Sequence, residues 1–188
     1  DPRNVTELFV SPATGGEGGS VTAGLDRHVL RGIWMPDGRS LLVSANDRTT
    51  TGLWIQPLAG AARRIEMGKL VASANYGLDA SVSRDGRIAL LASEPQRPNE
   101  LFVMDAATAK PERVTDFNAS LSAFELGRTE ALEWDGPDGL RMDGVVTYPP
   151  AFQPGSKYPL VLYIHGGPRA SSKEAFSARS QLLAAQGW

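Results

Sequence analysis

The chain has 188 residues, of which 41% are hydrophobic and 21% charged, and its formal net charge is −2. This balance gives no electrostatic basis for binding nucleic acid or an anionic membrane surface, and no apolar run approaches the roughly 18 residues of a membrane-spanning helix. The sequence has no cysteine and only two histidines, His28 and His165. Disulfides, thiolate catalysis and Cys-ligated metal sites are therefore excluded within the chain, and we expect no metal and no cofactor.

One short strand-like segment occurs three times in the first part of the chain: ELFV at 7–10, GLWI at 52–55 and ELFV at 100–103. The leucines of these segments are spaced by 45 and 48 positions. A period of about 45 residues is typical of the blades of a β-propeller, each built from about four short strands.

Two further elements keep the same phase. Asp37-Gly38 and Asp85-Gly86 each precede an apolar strand, which is a strong hairpin signal. Short strands are also expected at Arg64-Ile65 and around Arg113, each after a polar loop. Unrelated antiparallel hairpins are the alternative interpretation, but three features in one phase favour blades. We expect Trp34 and Trp54 to pack between neighbouring blades.

The repeat stops near residue 125, and a different pattern follows. Residues 130–134 and 140–148 predict a hairpin around Gly136-Pro-Asp-Gly139. The apolar run at 158–164 has no polar alternation, which predicts a strand buried on both faces, with Tyr158 and Tyr163 in the sheet core. SSKE at 171–174 fits a capping box, so we predict a helix from there to about Gln186 that ends at Gly187.

Residues Ala175, Ala178, Leu182 and Ala185 would share the apolar face of that helix. Between strand and helix lies the motif His165-Gly166-Gly167-Pro168. Two glycines let the backbone turn tightly and leave peptide N–H groups uncovered. An ordinary strand-to-helix turn is the alternative, but HGGP goes beyond what such a turn requires.

Propeller-like repeats followed by KYPLVLYIHGGP at 157–168 resemble the prolyl oligopeptidase family of serine peptidases, in particular its acylaminoacyl-peptidase and dipeptidyl-aminopeptidase branch. The resemblance covers essentially the whole chain. It implies a mixed fold: C-terminal blades of an all-β propeller at 1–125, then the N-terminal part of an α/β-hydrolase domain at 126–188. It also implies that the backbone N–H of Gly167 is an oxyanion-hole donor, that Gly166 and His165 shape that loop, and that the substrate is a short peptide.

The sequence contains no Gly-x-Ser-x-Gly motif, so the nucleophile, acid and base implied by the resemblance are expected outside these residues. About 125 residues supply only two blades and part of a third, and a single parallel strand needs neighbours. We therefore expect a fragment, inactive alone, that is completed by the rest of its own chain or by a complementary chain. A non-enzymatic propeller binding module and an α/β-hydrolase esterase are the alternatives. The compartment stays open between cytoplasm and periplasm.

Overall fold

The structure is a computed structural model that describes residues 5–75, 77–108, 110–167 and 170–188. These residues form mostly β-strands, with one α-helix and two short 3₁₀ helices at Ala23–Leu25 and Ala119–Ala123. The elements are β1 (Phe9–Val10), β2 (Gly19–Ser20), β3 (Val29–Trp34), β4 (Ser40–Asp47), β5 (Thr50–Pro57), β6 (Arg63–Ile65), β7 (Val71–Ala72), β8 (Ala80–Val82), β9 (Arg87–Glu94), β10 (Arg97–Asp105), β11 (Glu112–Arg113), β12 (Thr129–Asp135), β13 (Arg141–Thr147) and α1 (Ala178–Ala185).

Two antiparallel sheets have the strand order expected of propeller blades. The first is β3-β4-β5-β6, in sequence order. The second is β11-β10-β9, with both β7 and β8 paired to the free side of β9. Because β7 and β8 pair with successive parts of β9, they are two pieces of one edge strand. The β1-β2 pair carries the first copy of the repeat and corresponds to the last two strands of a blade.

The sequence repeat is confirmed at its turns and strands. The segments at 52–55 and 100–103 lie in β5 and β10, the equivalent strands of the two sheets. Asp37 lies in the β3–β4 turn and Asp85 in the β8–β9 turn. The Oδ1 of Asp37 accepts hydrogen bonds from the backbone N–H groups of Arg39 (2.9 Å) and Ser40 (3.0 Å), so this turn is fixed by contacts within four residues.

The core lies between the sheets. The larger cluster packs the first complete sheet against the second and includes Leu42, Leu53, Ile88 and Leu90, all at most 1% exposed. A smaller cluster around Trp54 packs the other face of the first sheet against the β1-β2 region. The ring of Trp54 lies over Gly52, where an added Cβ would come within 2.2 Å of the ring.

Trp54 therefore packs between blades as predicted, but the prediction for Trp34 is wrong. Trp34 is 50% exposed because it is the last residue of β3, where the strand passes into the Asp37 turn beyond the inter-sheet contact.

The C-terminal part adds the predicted hairpin, β12-β13, and helix α1. All strand pairs of the described residues are antiparallel. The β-rich, blade-like half of the predicted fold is therefore present, while the α/β-hydrolase half is not confirmed. The division into residues 1–125 and 126–188 stays a prediction.

Candidate active site

The run at 158–164 is not a strand, which corrects the prediction of a strand buried on both faces. Leu160, Leu162 and Ile164 are 81%, 78% and 77% exposed. An apolar run of this kind indicates a buried strand, but such a strand needs neighbouring strands to cover it. None of the described strands pairs with this run.

Neither tyrosine of this run lies in a sheet core, which corrects that expectation too. Tyr158 packs on Phe152 with 5.1 Å between ring centroids, and its hydroxyl oxygen accepts a hydrogen bond from the Gln153 N–H at 2.9 Å. Tyr163 is exposed, and the guanidinium of Arg179 on α1 lies 4.7 Å from its ring centroid. This cation–π contact connects the apolar run to the helix that follows it.

The glycine turn after the run is open to solvent. A Cβ placed on Gly166 would meet no atom within 4 Å. Gly167 has φ +144°, a backbone conformation that residues with a Cβ rarely adopt. His165 is exposed, and its Nδ1 lies 2.9 Å from the carbonyl oxygen of Gly166, so the tautomer with a proton on Nδ1 donates to its own loop. Pro168 and Arg169, the next residues of the motif, lie outside the described residues.

Helix α1 begins later than predicted. Its N-cap is Ser177, whose side chain accepts a hydrogen bond from Ser180 N at 3.2 Å, so the predicted capping box at 171–174 is wrong. The predicted end is confirmed. Gly187 has φ +84°, its N–H donates to Ala184 O at 2.9 Å, and Trp188 N donates to Leu183 O at 3.3 Å. This is a Schellman motif.

The predicted apolar face of α1 points away from the rest of the described chain. Ala178, Leu182 and Ala185 are exposed, with Leu182 at 71%, while Gln181 and Ala184 are buried. Leu182 and the exposed apolar run at 158–164 thus form two uncovered apolar surfaces on either side of the glycine turn.

The segment between the glycine turn and α1 is anchored on the blades. Glu174 N donates to Thr49 O at 2.9 Å, and the Glu174 carboxylate accepts from Thr49 Oγ1 at 2.9 Å and from Ala131 N at 3.1 Å. Further along, Phe176 N donates to Ser93 Oγ on β9 at 3.3 Å. Residues of both blade sheets and of β12 therefore hold residues 171–176, which we call the anchor segment.

Lys173 is the half-buried cation of the anchor segment. Its Nζ donates to Asn46 Oδ1 at 2.9 Å, to the backbone oxygen of Thr50 at 2.7 Å and to Ser171 Oγ at 2.7 Å. Burial lowers the pKa of this amine from 10.5 to about 8, against the opposing influence of Asp47 and Asp143. A cavity of about 510 Å³ lies beside it, between the anchor segment and the two sheets, and its lining mixes polar side chains such as Asn75 with apolar ones such as Phe176.

Sequence reasoning did not find Lys173 or Glu174 as contact residues. The capping-box pattern places Glu174 at a helix N-terminus, and no pattern assigns a role to Lys173. Their partners on the first blade sheet lie more than 120 positions earlier in the chain, and no local pattern marks such a contact. Among the described residues no group of three or more His, Asp or Glu side chains is arranged to hold a metal ion. No helix of the described chain is long and apolar enough to cross a membrane.

No family model matches the chain. Two curated relatives do. Dipeptidyl-peptidase 5 of Porphyromonas gingivalis is 29% identical over 189 residues, which cover 98% of the chain and 27% of the relative. The uncharacterized peptidase YuxL of Bacillus subtilis is 24% identical over 159 residues, 84% of the chain and 23% of the relative. The chain thus spans about a quarter of the length of these relatives.

Solved structures share the fold. The acylaminoacyl peptidase of Pyrococcus horikoshii superposes with a TM-score of 0.71 at 23% identity, over 91% of the chain and 26% of that structure. The AtxE2 isopeptidase, in its astexin-bound form, gives a TM-score of 0.68 at 18% identity, over 94% of the chain and 26% of that structure. At identities below 25% these superpositions show a shared fold and nothing about activity. The names of the two curated relatives, in contrast, describe them as peptidases.

Proposed function

The chain resembles the peptidases of the prolyl oligopeptidase family over nearly its whole length, and from this we propose that it forms part of a serine peptidase. It would contribute blades of the propeller and the first segment of an α/β-hydrolase domain. The curated peptidase relatives, matched over 84% and 98% of the chain, carry this proposal. The substrate would be a peptide short enough to pass the propeller.

In this proposal the glycine turn supplies the oxyanion hole. The backbone N–H of Gly167 would donate to the oxygen that becomes negative when a serine attacks the peptide carbonyl, with Gly166 and His165 shaping the loop. The open space around Gly166 and the positive φ of Gly167 support this role, because a carbonyl oxygen has to reach the amide without meeting a side chain.

The uncovered apolar surfaces are consistent with a catalytic domain that is larger than the described part of the chain and that buries them. The accessible surface of the chain is 12020 Å², whereas a folded monomer of 20.1 kDa has about 8,700 Å². The excess includes the exposed run at 158–164 and Leu182. We propose that further strands and helices of the hydrolase sheet cover these residues, and that the nucleophile, acid and base lie on that remainder.

The test uses the complete protein that contains this chain. We expect it to hydrolyse a chromogenic peptide substrate and to react covalently with a fluorophosphonate probe of serine hydrolases. Gly167→Pro removes the proposed donor and should lower kcat by about 10²–10³. The matched control is Gly155→Pro, at another exposed glycine with positive φ (+87°) and open surroundings, and its kcat should stay at the wild-type value.

Two outcomes would replace the proposal. A complete protein that neither cleaves peptides nor labels with the probe would be a binding propeller. A protein that cleaves esters but no peptide would be an esterase.

A further inference from the structure

We infer that Lys173 is a positioning residue for the proposed oxyanion hole: it ties the segment after the glycine turn to the β4–β5 turn of a propeller blade and so fixes where the Gly167 amide lies. This inference rests on the proposed function. It adds that a blade, and not the hydrolase domain alone, sets the geometry of the oxyanion donor.

The first step concerns reach. Lys173 follows Gly167 by six residues, and its ammonium group bridges from the anchor segment to Asn46 and the Thr50 carbonyl on the two strands of one blade hairpin. Its third bond, to Ser171 Oγ, returns to the anchor segment itself. One side chain therefore fastens the start of the anchor segment, four residues after Gly167, to both strands of the blade hairpin.

The second step concerns the rigidity of the blade turn. Asp47, at the end of β4, has a side chain only 7% exposed and is paired with both Arg27 (2.9 Å) and Arg64. From the other side Arg48 is paired with Glu133 of β12 at 2.9 Å. The β4 end of the turn to which Lys173 is bound is thus held mainly by the two ion pairs of the buried Asp47 carboxylate, since the exposed Arg48–Glu133 pair adds little.

The third step concerns why a lysine is used. Burial opposes the charge of Lys173, and the carboxylates that act on it, Asp47 of β4 and Asp143 of β13, offset this only in part. Replacing a buried charged group by a well-packed apolar residue often leaves the stability of the folded state unchanged or higher. An apolar side chain cannot form the three directed hydrogen bonds of the ammonium. We therefore infer that Lys173 fixes the position of the anchor segment on the blade.

The experiment measures kcat, KM and thermal midpoint of the complete protein with a chromogenic peptide, normalised by fluorophosphonate active-site titration. For Lys173→Met we expect kcat to fall about tenfold, since small misplacements of catalytic groups are costly, with KM close to wild type and a modest drop of the thermal midpoint, because Asn46 Oδ1 and Thr50 O lose this donor. Lys110→Met, at an exposed lysine, is the matched control and should change none of these.

Two additional readouts separate positioning from bulk stability. Ser171→Ala should lower kcat by about twofold alone and leave Lys173→Met unchanged, because both variants break the same connection. The wild-type kcat should also fall as the pH rises through about 8, since a neutral amine has two N–H donors for three acceptors. This alkaline step should be absent from Lys173→Met.

An unchanged kcat per titrated site in Lys173→Met overturns the inference, whether or not the thermal midpoint drops. Such a result, with an active wild type, leaves the proposed function standing. A wild type without peptidase activity overturns both together.

Discussion

The side-chain amide of Gln181 pairs with both backbone groups of Gly127. Its Oε1 accepts from Gly127 N at 2.7 Å, and its Nε2 donates to Gly127 O at 3.0 Å. Gln181 is 6% exposed and lies on α1, whereas Gly127 precedes β12. This pair therefore connects α1, the one α-helix among the described residues, to the segment that leaves the second blade sheet.

Replacing Gln181 with leucine should destabilise the protein by about 1–3 kcal/mol, because the Gly127 N–H would stay buried without a partner. The Gly127 oxygen keeps one donor, Gln96 Nε2 at 3.1 Å, so a larger loss is not expected. Urea denaturation of the complete protein, followed by tryptophan fluorescence, measures the change. Gln186→Leu, at an exposed position of the helix end, is the control. Equal midpoints for both variants would contradict the role of the pair.

Gly127→Ala should be more damaging. An added Cβ would lie 2.1 Å from the Tyr148 carbonyl oxygen and 3.2 Å from Ala184 Cβ, so the backbone itself has to move. We expect a loss of about 3 kcal/mol or more in the same denaturation experiment. Gly24→Ala adds the same methyl group in open space and should change the free energy of unfolding by less than about 0.5 kcal/mol. Similar losses in both variants would show that the contact at Gly127 relaxes freely.

The parts of the fold that were predictable from sequence are those fixed by near neighbours. The Asp37 turn forms hydrogen bonds within four residues, and the Gly187 cap needs only the last turn of its own helix. The blade repeat was predictable for a related reason: each copy repeats the same local pattern. The contacts that fix these elements join residues only a few positions apart, so a local sequence pattern is enough to predict them.

The parts that were missed depend on distant partners. The apolar run at 158–164 indicates a buried strand, but periodicity does not specify which strands cover it. The residues SSKE at 171–174 match a capping box, yet Glu174 binds Thr49 and Ala131 instead, at separations of 125 and 43 positions. Local propensity gave way here to tertiary contacts.

Glu100 makes the stability pH-dependent. It is 1% exposed, and its carboxylate accepts hydrogen bonds from Thr115 Oγ1, Phe117 N, Asn118 N and Asn118 Nδ2. These donors, Thr115 foremost, lower its pKa from 4.5 to about 2. A depressed carboxylate pKa means that the unfolded state binds more protons in this interval, so the contribution is present in full above about pH 4.5 and is lost as the pH falls toward 2.

Glu100→Gln should therefore lower the thermal midpoint at pH 7, and the difference from wild type should shrink as the pH falls from 4.5 toward 2. Thermal scans of both proteins across that range measure it. Glu112→Gln, at an exposed residue of the neighbouring strand β11, makes the same charge change and should give a curve parallel to wild type. A difference that stays constant with pH would mean that packing, not the charge of Glu100, sets the effect.

The exposed apolar run predicts how residues 1–188 behave when produced alone. Large uncovered apolar patches promote association, so we expect higher-order assemblies on size-exclusion chromatography and strong binding of a hydrophobic dye. Combining Leu160→Lys, Leu162→Lys and Ile164→Lys should reduce both. Three lysines at Ser11, Ala13 and Thr14, in an exposed loop, add the same charge and should reduce neither. A monomeric, dye-silent parent chain would show that something within these residues covers the run, and would remove the surface on which the proposed hydrolase sheet is built.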